Sequence, residues 1–329
     1  MPMSMICRTL FVTLLVAGLL VPPGPPGAAA QARTQQEPQH PLKVQTNLVN
    51  LYATVRDKRH AIVADLQKED FRIYEDGVEQ KVDSFSREVA LPLTMGILLD
   101  TSGSVERLLG AEQETAARFL ERVIRKGDMA MLITFDLNAD ELQDFTSDVA
   151  VLERAINSAR INTGGSVRVT PGTIPQRGAI GTVMYDAVYL ACRERLSGEV
   201  GRKAIIILTD AEDNGSKVRL EEAIESAQRS DTVIHILLQS EMRFGFGGGG
   251  AGVARKMTNE TGGRTIEVRN EKDLQKAFDE ISEELRSQYA LSYYPSNQAH
   301  DGKFRRIRVE ITRPDTKILA RQGYYGPRN

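Results

Sequence analysis

The 329-residue chain has no tryptophan, two cysteines and four histidines, and its formal net charge at pH 7 is −2. Each shortage removes a class of function. Cys7 lies in a leader-like N-terminal stretch, which leaves Cys192 alone; a single cysteine makes neither an internal disulfide nor a thiolate metal site. Cys192 falls in the helical pattern of residues 185–192 and reads as a small buried residue. A nucleophilic thiol needs a paired histidine, and none of the four stands in a recognisable pairing motif. His235, inside the apolar run of residues 233–237, reads as a strand residue. The near-neutral charge lacks the basic stripe of a nucleic-acid binder. Arg305, Arg306 and Arg308 interleave with apolar residues, and read as the solvated face of a strand.

Long hydrophobic runs are also missing, with one short exception. Residues 9–21 are apolar, preceded by Arg8 and followed by a Pro/Gly break at 22–27 and the small-residue cluster 28–32. The run is too short to span a bilayer comfortably, and the order of charge, apolar stretch and small residues is that of a secretion signal. Residues 1–32 are therefore expected to be a signal peptide, the alternative being an uncleaved anchor. The mature chain is expected to be secreted, periplasmic or envelope-associated, touching membrane only through that segment if it is retained. Cys7 precedes the apolar run, so it is not placed to carry a lipoprotein lipid.

Polar, Pro-containing residues 33–43 read as a linker. Residues 44–89 alternate with period two: Val49, Leu51, Ala53 and Val55 share one strand face, and residues 71–74 and 78–82 flank an Asp76-Gly77 hairpin turn. Between 90 and 288 near-continuous Ile/Leu/Val strands alternate with amphipathic helices, which implies a doubly wound α/β fold with a mainly parallel sheet covered on both faces. Strand alternation returns at 289–329. Neither β piece alone buries much surface, so the two are expected to form one discontinuous β-rich module.

The chemistry concentrates at strand ends. Residues 95–104 read Met-Gly-Ile-Leu-Leu-Asp-Thr-Ser-Gly-Ser, so Asp100, Ser102 and Ser104 follow directly on a buried strand. Gly181-Thr182 opens a helical pattern, and residues 205–210 form a second apolar strand ending in Asp210. An oxygen-only cluster at the C-terminal edge of an α/β sheet suits a hard cation, Mg²⁺ or else Mn²⁺ or Ca²⁺. The expected site is Asp100, Ser102, Ser104, Thr182 and Asp210. The plainer alternative is that these residues cap the helices that follow them.

These three segments resemble the von Willebrand factor A-type (VWA) family, in which they form a metal-ion-dependent adhesion site (MIDAS). The resemblance covers about residues 90–288. More loosely, residues 66–71, 75–77 and 321–325 resemble a secreted bacterial subgroup. The resemblance implies that Ser102 and Ser104 ligate the ion directly, Thr182 directly or through water, and that Asp100 and Asp210 supply charge. Neutral hydroxyls leave the ion electrophilic, so a protein partner is expected to contribute a carboxylate, and the implied function is cation-dependent binding rather than catalysis. Ala211 stands where many members have glycine, followed by Glu212, Asp213 and Asn214. The two acids either add negative charge to the site or begin a solvated loop. The stretch 162–179 is expected near the metal.

Three rivals are weaker. Asp100-Thr101-Ser102 has serine where an aspartic-protease turn needs glycine, and a strand-end phosphatase would need aspartate at 102. The glycine-rich residues 244–250 lack the Lys-Ser/Thr of a P-loop and read as a flexible loop. A purely structural envelope scaffold remains the main alternative, with a metal-dependent hydrolase behind it.

Overall fold

The computed structural model describes residues 48–87, 91–106, 109–161, 181–239 and 249–328. The expected signal and linker, the stretch 162–179 and most of the glycine-rich segment lie outside the described residues.

The first strand, β1 (Val49–Asp57), buries Val49, Leu51, Ala53 and Val55, as the alternation requires. A hairpin follows, β2 (Phe71–Glu75) and β3 (Val78–Gln80), closed by Asp76 and Gly77, both at positive φ. Residues 78–82 are not one strand, as the alternation suggested. The chain breaks at Lys81, and β4 (Val82–Ser86) joins a different sheet.

The α/β core begins with β5 (Leu93–Asp100), every residue of which is buried. It continues through α1 (Leu109–Val123), β6 (Met129–Phe135), β7 (Ala139–Thr146), α2 (Val149–Ser158) and α3 (Met184–Tyr189). Then come β8 (Arg202–Thr209), α4 (Leu220–Arg229), β9 (Thr232–Gln239), α5 (Gly249–Thr261), β10 (Thr265–Val268) and α6 (Glu271–Arg286). The six strands are ordered β10-β9-β8-β5-β6-β7. All neighbours are parallel except β7, which runs antiparallel to β6 along the edge. Periodicity gives no sign of β7, because Ala-Asp-Glu-Leu-Gln-Asp-Phe-Thr is a polar edge strand with no residue fully buried. Within the helical pattern of residues 185–192, α3 runs into a π-helical turn, Leu190–Arg195, that encloses Cys192.

The side chains of β5 split between two cores. Leu93, Met95, Ile97 and Leu99 pack with α1, α2 and α6, whereas Leu98 packs with α3, α4 and α5. Burying each such side chain stabilises by roughly 1.5–3 kcal/mol. The strand is therefore held from both faces, and its C-terminal end is a rigid platform.

The remaining strands are β11 (Tyr289–Tyr293), β12 (Phe304–Ile311), β13 (Thr316–Ala320) and β14 (Gly323–Tyr325). They pair with the N-terminal strands into two four-stranded sheets, β13-β1-β11-β4 and β14-β12-β2-β3. Leu51, Leu66, Ile73, Tyr289 and Tyr293 lie in the core between the sheets. Arg305 corrects one expectation. It shares a strand face with Ile307, is 2% exposed, and turns inward to Glu75, while Arg306 and Arg308 are exposed. Alternation puts neighbouring arginines on opposite faces, so a run of them is not one solvated face.

Candidate metal centre

Parallel pairing puts β8 beside β5, with Leu99 opposite Leu208. Asp100 and Asp210 therefore emerge at the same edge of the sheet, beyond the carboxyl ends of adjacent strands. Asp100 has no solvent exposure. Its Oδ1 accepts the Ser102 N–H at 2.9 Å and its Oδ2 accepts the Thr209 hydroxyl at 2.6 Å. The Ser102 and Ser104 hydroxyls lie 2.9 Å apart, both half-buried. Ser102 precedes a short 3-10 turn, Gly103–Val105, but its side chain makes no capping bond. Asp210 lies close enough for its charge to act on Asp100.

Thr182 reaches this edge by a different route. The N–H of Val183 donates to the Asp136 carbonyl at 2.9 Å, just beyond the end of β6. The N–H of Thr182 donates to Asn214 Oδ1 at 2.8 Å, in the loop after β8. Since β5 lies between β6 and β8, residues 182–183 span the end of the strand that carries Asp100. Thr182 is not a helix cap: the capping position of α3 is Val183, with no side-chain bond. These contacts bring Asp100, Ser102 and Ser104 together directly, Asp210 by electrostatics, and Thr182 through Asn214.

The electrostatics are one-sided. Burial pushes the Asp100 carboxyl up to about 6; the Ser102 and Thr209 hydrogen bonds oppose this and the Asp210 charge adds to it. None of these influences is a cation. Below the site, Glu112 on α1 is 1% exposed and pushed up to about 8, first by burial and then by the charge of Asp100. Gln239 donates to its Oε1, while Oε2 has no hydrogen-bond partner among the described residues. Burying carboxylates without a counter-charge is costly. An all-oxygen donor set with no offsetting cation among the described residues fits a hard divalent cation.

Sequence reasoning missed several participants. Glu112 sits on the apolar stripe of α1 with Leu109, Ala116, Phe119 and Val123, so an acid at helical spacing among core residues was a readable signal. Asp213 and Asn214, marked in the sequence only as residues after Ala211, act with Thr209 through tertiary hydrogen bonds that no local pattern reveals. Ala211 takes φ 58°, in the left-handed region that suits glycine. Gly250 is not loop filler. A Cβ there would stand 2.4 Å from the Asp210 carbonyl oxygen, so the start of α5 packs against the backbone of the site.

No protein-family model matches the chain, and no curated protein matches it in sequence. Solved structures do match. Proximal thread matrix protein 1 from the mussel byssus, solved with a zinc-occupied MIDAS motif, aligns at TM-score 0.50 and 15% identity. The alignment covers 64% of this chain and 49% of the mussel protein, so this chain spans about half of that protein's length. The central domain has a von Willebrand factor A-type fold. A von Willebrand factor type A protein from Catenulispora acidiphila (TM-score 0.48, 13% identity) covers 80% of this chain and 76% of its own. BatB from Bacteroides thetaiotaomicron (TM-score 0.45, 21% identity) covers 59% of this chain and all of its own. The VWA core here is accompanied by the β-rich module, and the five expected residues all belong to the core.

Proposed function

We propose that this VWA domain is a divalent-cation-dependent protein-binding module. The observation that carries the reading is the bridge of residues 182–183 across the end of β5, above buried acids that have no cationic partner among the described residues. Ser102 and Ser104 would hold the ion through their hydroxyls, Thr182 directly or through water, and Asp100 and Asp210 would supply the negative charge. A bound Mg²⁺, Mn²⁺ or Ca²⁺ contributes a Lewis-acidic position that a partner's carboxylate completes. The protein's own groups do the rest. Thr209 orients Asp100 through a 2.6 Å hydrogen bond, and the Ser102 N–H holds the other carboxylate oxygen. The zinc-occupied MIDAS of the mussel protein supports the choice of a divalent cation. The leader-like N-terminus supports action outside the cytoplasm, as a secreted or envelope-associated protein.

Titration calorimetry of the full chain with MgCl₂ and MnCl₂ tests the site, and capture of partners from an envelope extract with and without EDTA tests the function. Saturable binding near one ion per chain, and partners lost on chelation, are expected. No heat at millimolar Mg²⁺ or Mn²⁺ would defeat the reading. Partners retained in EDTA would favour a scaffold.

A further inference from the structure

The segment that carries Thr182 and the loop that leaves Asp210 are fastened to each other by side chains of that loop. Asn214 holds both sides of the Thr182 residue. Its Oδ1 accepts the Thr182 N–H at 2.8 Å, and its own N–H, with that of Gly215, donates to the Thr182 carbonyl at 3.2 Å. Asp213 accepts the Tyr185 N–H at 2.9 Å and the Ser216 hydroxyl at 2.6 Å. Ser216 Oγ in turn accepts the Asp186 N–H at 3.1 Å. Asp186 answers from the other side, its Oδ1 accepting the N–H groups of Lys217 and Val218 at 3.0 and 2.8 Å.

We infer that Asn214 is a positioning residue for the cation site, setting the Thr182 hydroxyl relative to Asp210. The inference rests on the proposed metal site and assigns a role within it. The physical logic is that Asp210 and Asn214 are four residues apart on one loop, so fixing the Thr182 backbone to Asn214 makes two distant ligands move as one body. Asp213, Ser216 and Asp186 close the next turn of the same contact. They stabilise the wedge, whereas Asn214 alone in this set grips Thr182 itself. The roles read from sequence, added negative charge or a solvated loop start, concern the acids Glu212 and Asp213; Asn214 is neutral and its amide oxygen is engaged.

A double-mutant cycle on the full chain tests this, read by calorimetric Mn²⁺ affinity and by thermal unfolding in EDTA. Asn214→Leu keeps the branched shape but removes the acceptor, and is expected to weaken Mn²⁺ binding about 10- to 100-fold, the usual cost of losing an outer-shell partner. Asn214→Asp keeps an acceptor at the same place and is expected to restore affinity to within about threefold of wild type. In a Thr182→Val background, which lacks the hydroxyl to be positioned, Asn214→Leu should add less than about a threefold loss, because coupled residues are non-additive. If Asn214→Leu does not fold, Asn214→Ala takes its place in the cycle. Wild-type affinity in the acceptor-less variant overturns the inference, and so does an equal loss in the Thr182→Val background. The wild-type titration separates the two layers: absence of Mn²⁺ binding there removes the cation site itself, whereas binding that ignores Asn214 removes only the positioning role.

Discussion

Two sets of buried acids in this molecule are treated in opposite ways. Where the β-rich module meets the VWA core, Glu284 on α6 is almost fully buried and sits between two guanidiniums. Arg56 Nε approaches its Oε1 at 2.9 Å and Arg264 Nε at 2.8 Å. Burial raises this carboxyl, and both arginines pull it back. Within the β-rich module Glu75 lies 3.8 Å from Arg305 and accepts hydroxyl hydrogen bonds from Tyr293 and Tyr324 at 2.8 and 2.9 Å. At the amino end of the sheet, Asp128 pairs with Arg286 and accepts the N–H groups of Leu93 and Arg125. At the carboxyl end, Asp100 and Glu112 are as deeply buried, and the charges acting on them are other acids. A buried acid that exists for architecture brings its own counter-charge. One for which the described residues supply none is where the proposed cation would bring the counter-charge.

The sharpest way to break this contrast is to remove one acid from each set. Glu284→Ala leaves Arg56 and Arg264 facing each other in a buried joint and is expected to cost about 3–5 kcal/mol, measured by urea unfolding in EDTA. Asp100→Asn removes a charge that no cation among the described residues offsets, so the chelated protein should unfold within about 1 kcal/mol of wild type or slightly later. In exchange, it should lose the cation response, which for wild type at a hundredfold excess over Kd amounts to about 2.7 kcal/mol. Ser102→Ala is expected to behave like Asp100→Asn. A large cost for Asp100→Asn in EDTA, or a small one for Glu284→Ala, would erase the distinction between the two sets.

Proton linkage gives a smaller effect of defined sign. The carboxyl of Glu112 stands near 8 in the fold against an ordinary 4.5. Below pH 4.5 both states keep the proton. As pH rises from there, the unfolded chain releases it first, so the folded state binds more protons and stability falls with rising pH. The chelated protein should therefore lose stability between about pH 4.5 and pH 8, and Glu112→Gln should flatten that part of a pH series of unfolding curves. Cation binding runs the other way. It requires ionised carboxylates, so Mn²⁺ affinity is expected to fall as pH drops below about 6, where Asp100 takes up its proton. A stability profile in EDTA that rises from pH 5 to 8 would contradict the placement of Glu112 among uncompensated acids.

One half of this contrast is legible in the order of residues, and its completion is not. Strand-then-acid patterns at residues 95–100 and 205–210 mark the two strand ends, because continuous Ile/Leu runs are what a strand covered on both faces demands. The order of the sheet, which sets β6, β5 and β8 side by side, does not follow from periodicity, and without it the bridge of residues 182–183 from Asp136 to Asn214 is invisible. β7 escapes for the opposite reason: none of its residues is fully buried, so nothing demands apolar alternation. Arg305 is misplaced by sequence because a run of charges invites one reading, while the two-residue period assigns its members to different environments.

Ala211 offers the finest comparison, between strain and packing at a single residue. Its φ of 58° costs an alanine about 1–2 kcal/mol relative to the right-handed region, and glycine would remove that cost. Glycine would also lose a buried methyl, worth about 0.8 kcal/mol, and carry about 0.5–1 kcal/mol more backbone entropy into the unfolded chain. The terms nearly cancel, so Ala211→Gly is expected to change stability by less than about 1 kcal/mol and to leave Mn²⁺ affinity within about twofold. That near-neutrality would explain in physical terms how alanine stands where the VWA resemblance leads one to expect glycine. Ala211→Val drives both terms the same way: it adds bulk at a buried position and places a β-branched side chain in the left-handed region, beside an Asp210 backbone that the start of α5 approaches closely. It should lower both stability and cation affinity, and a valine variant that binds Mn²⁺ like wild type would show that the backbone at 211 does not set Asp210.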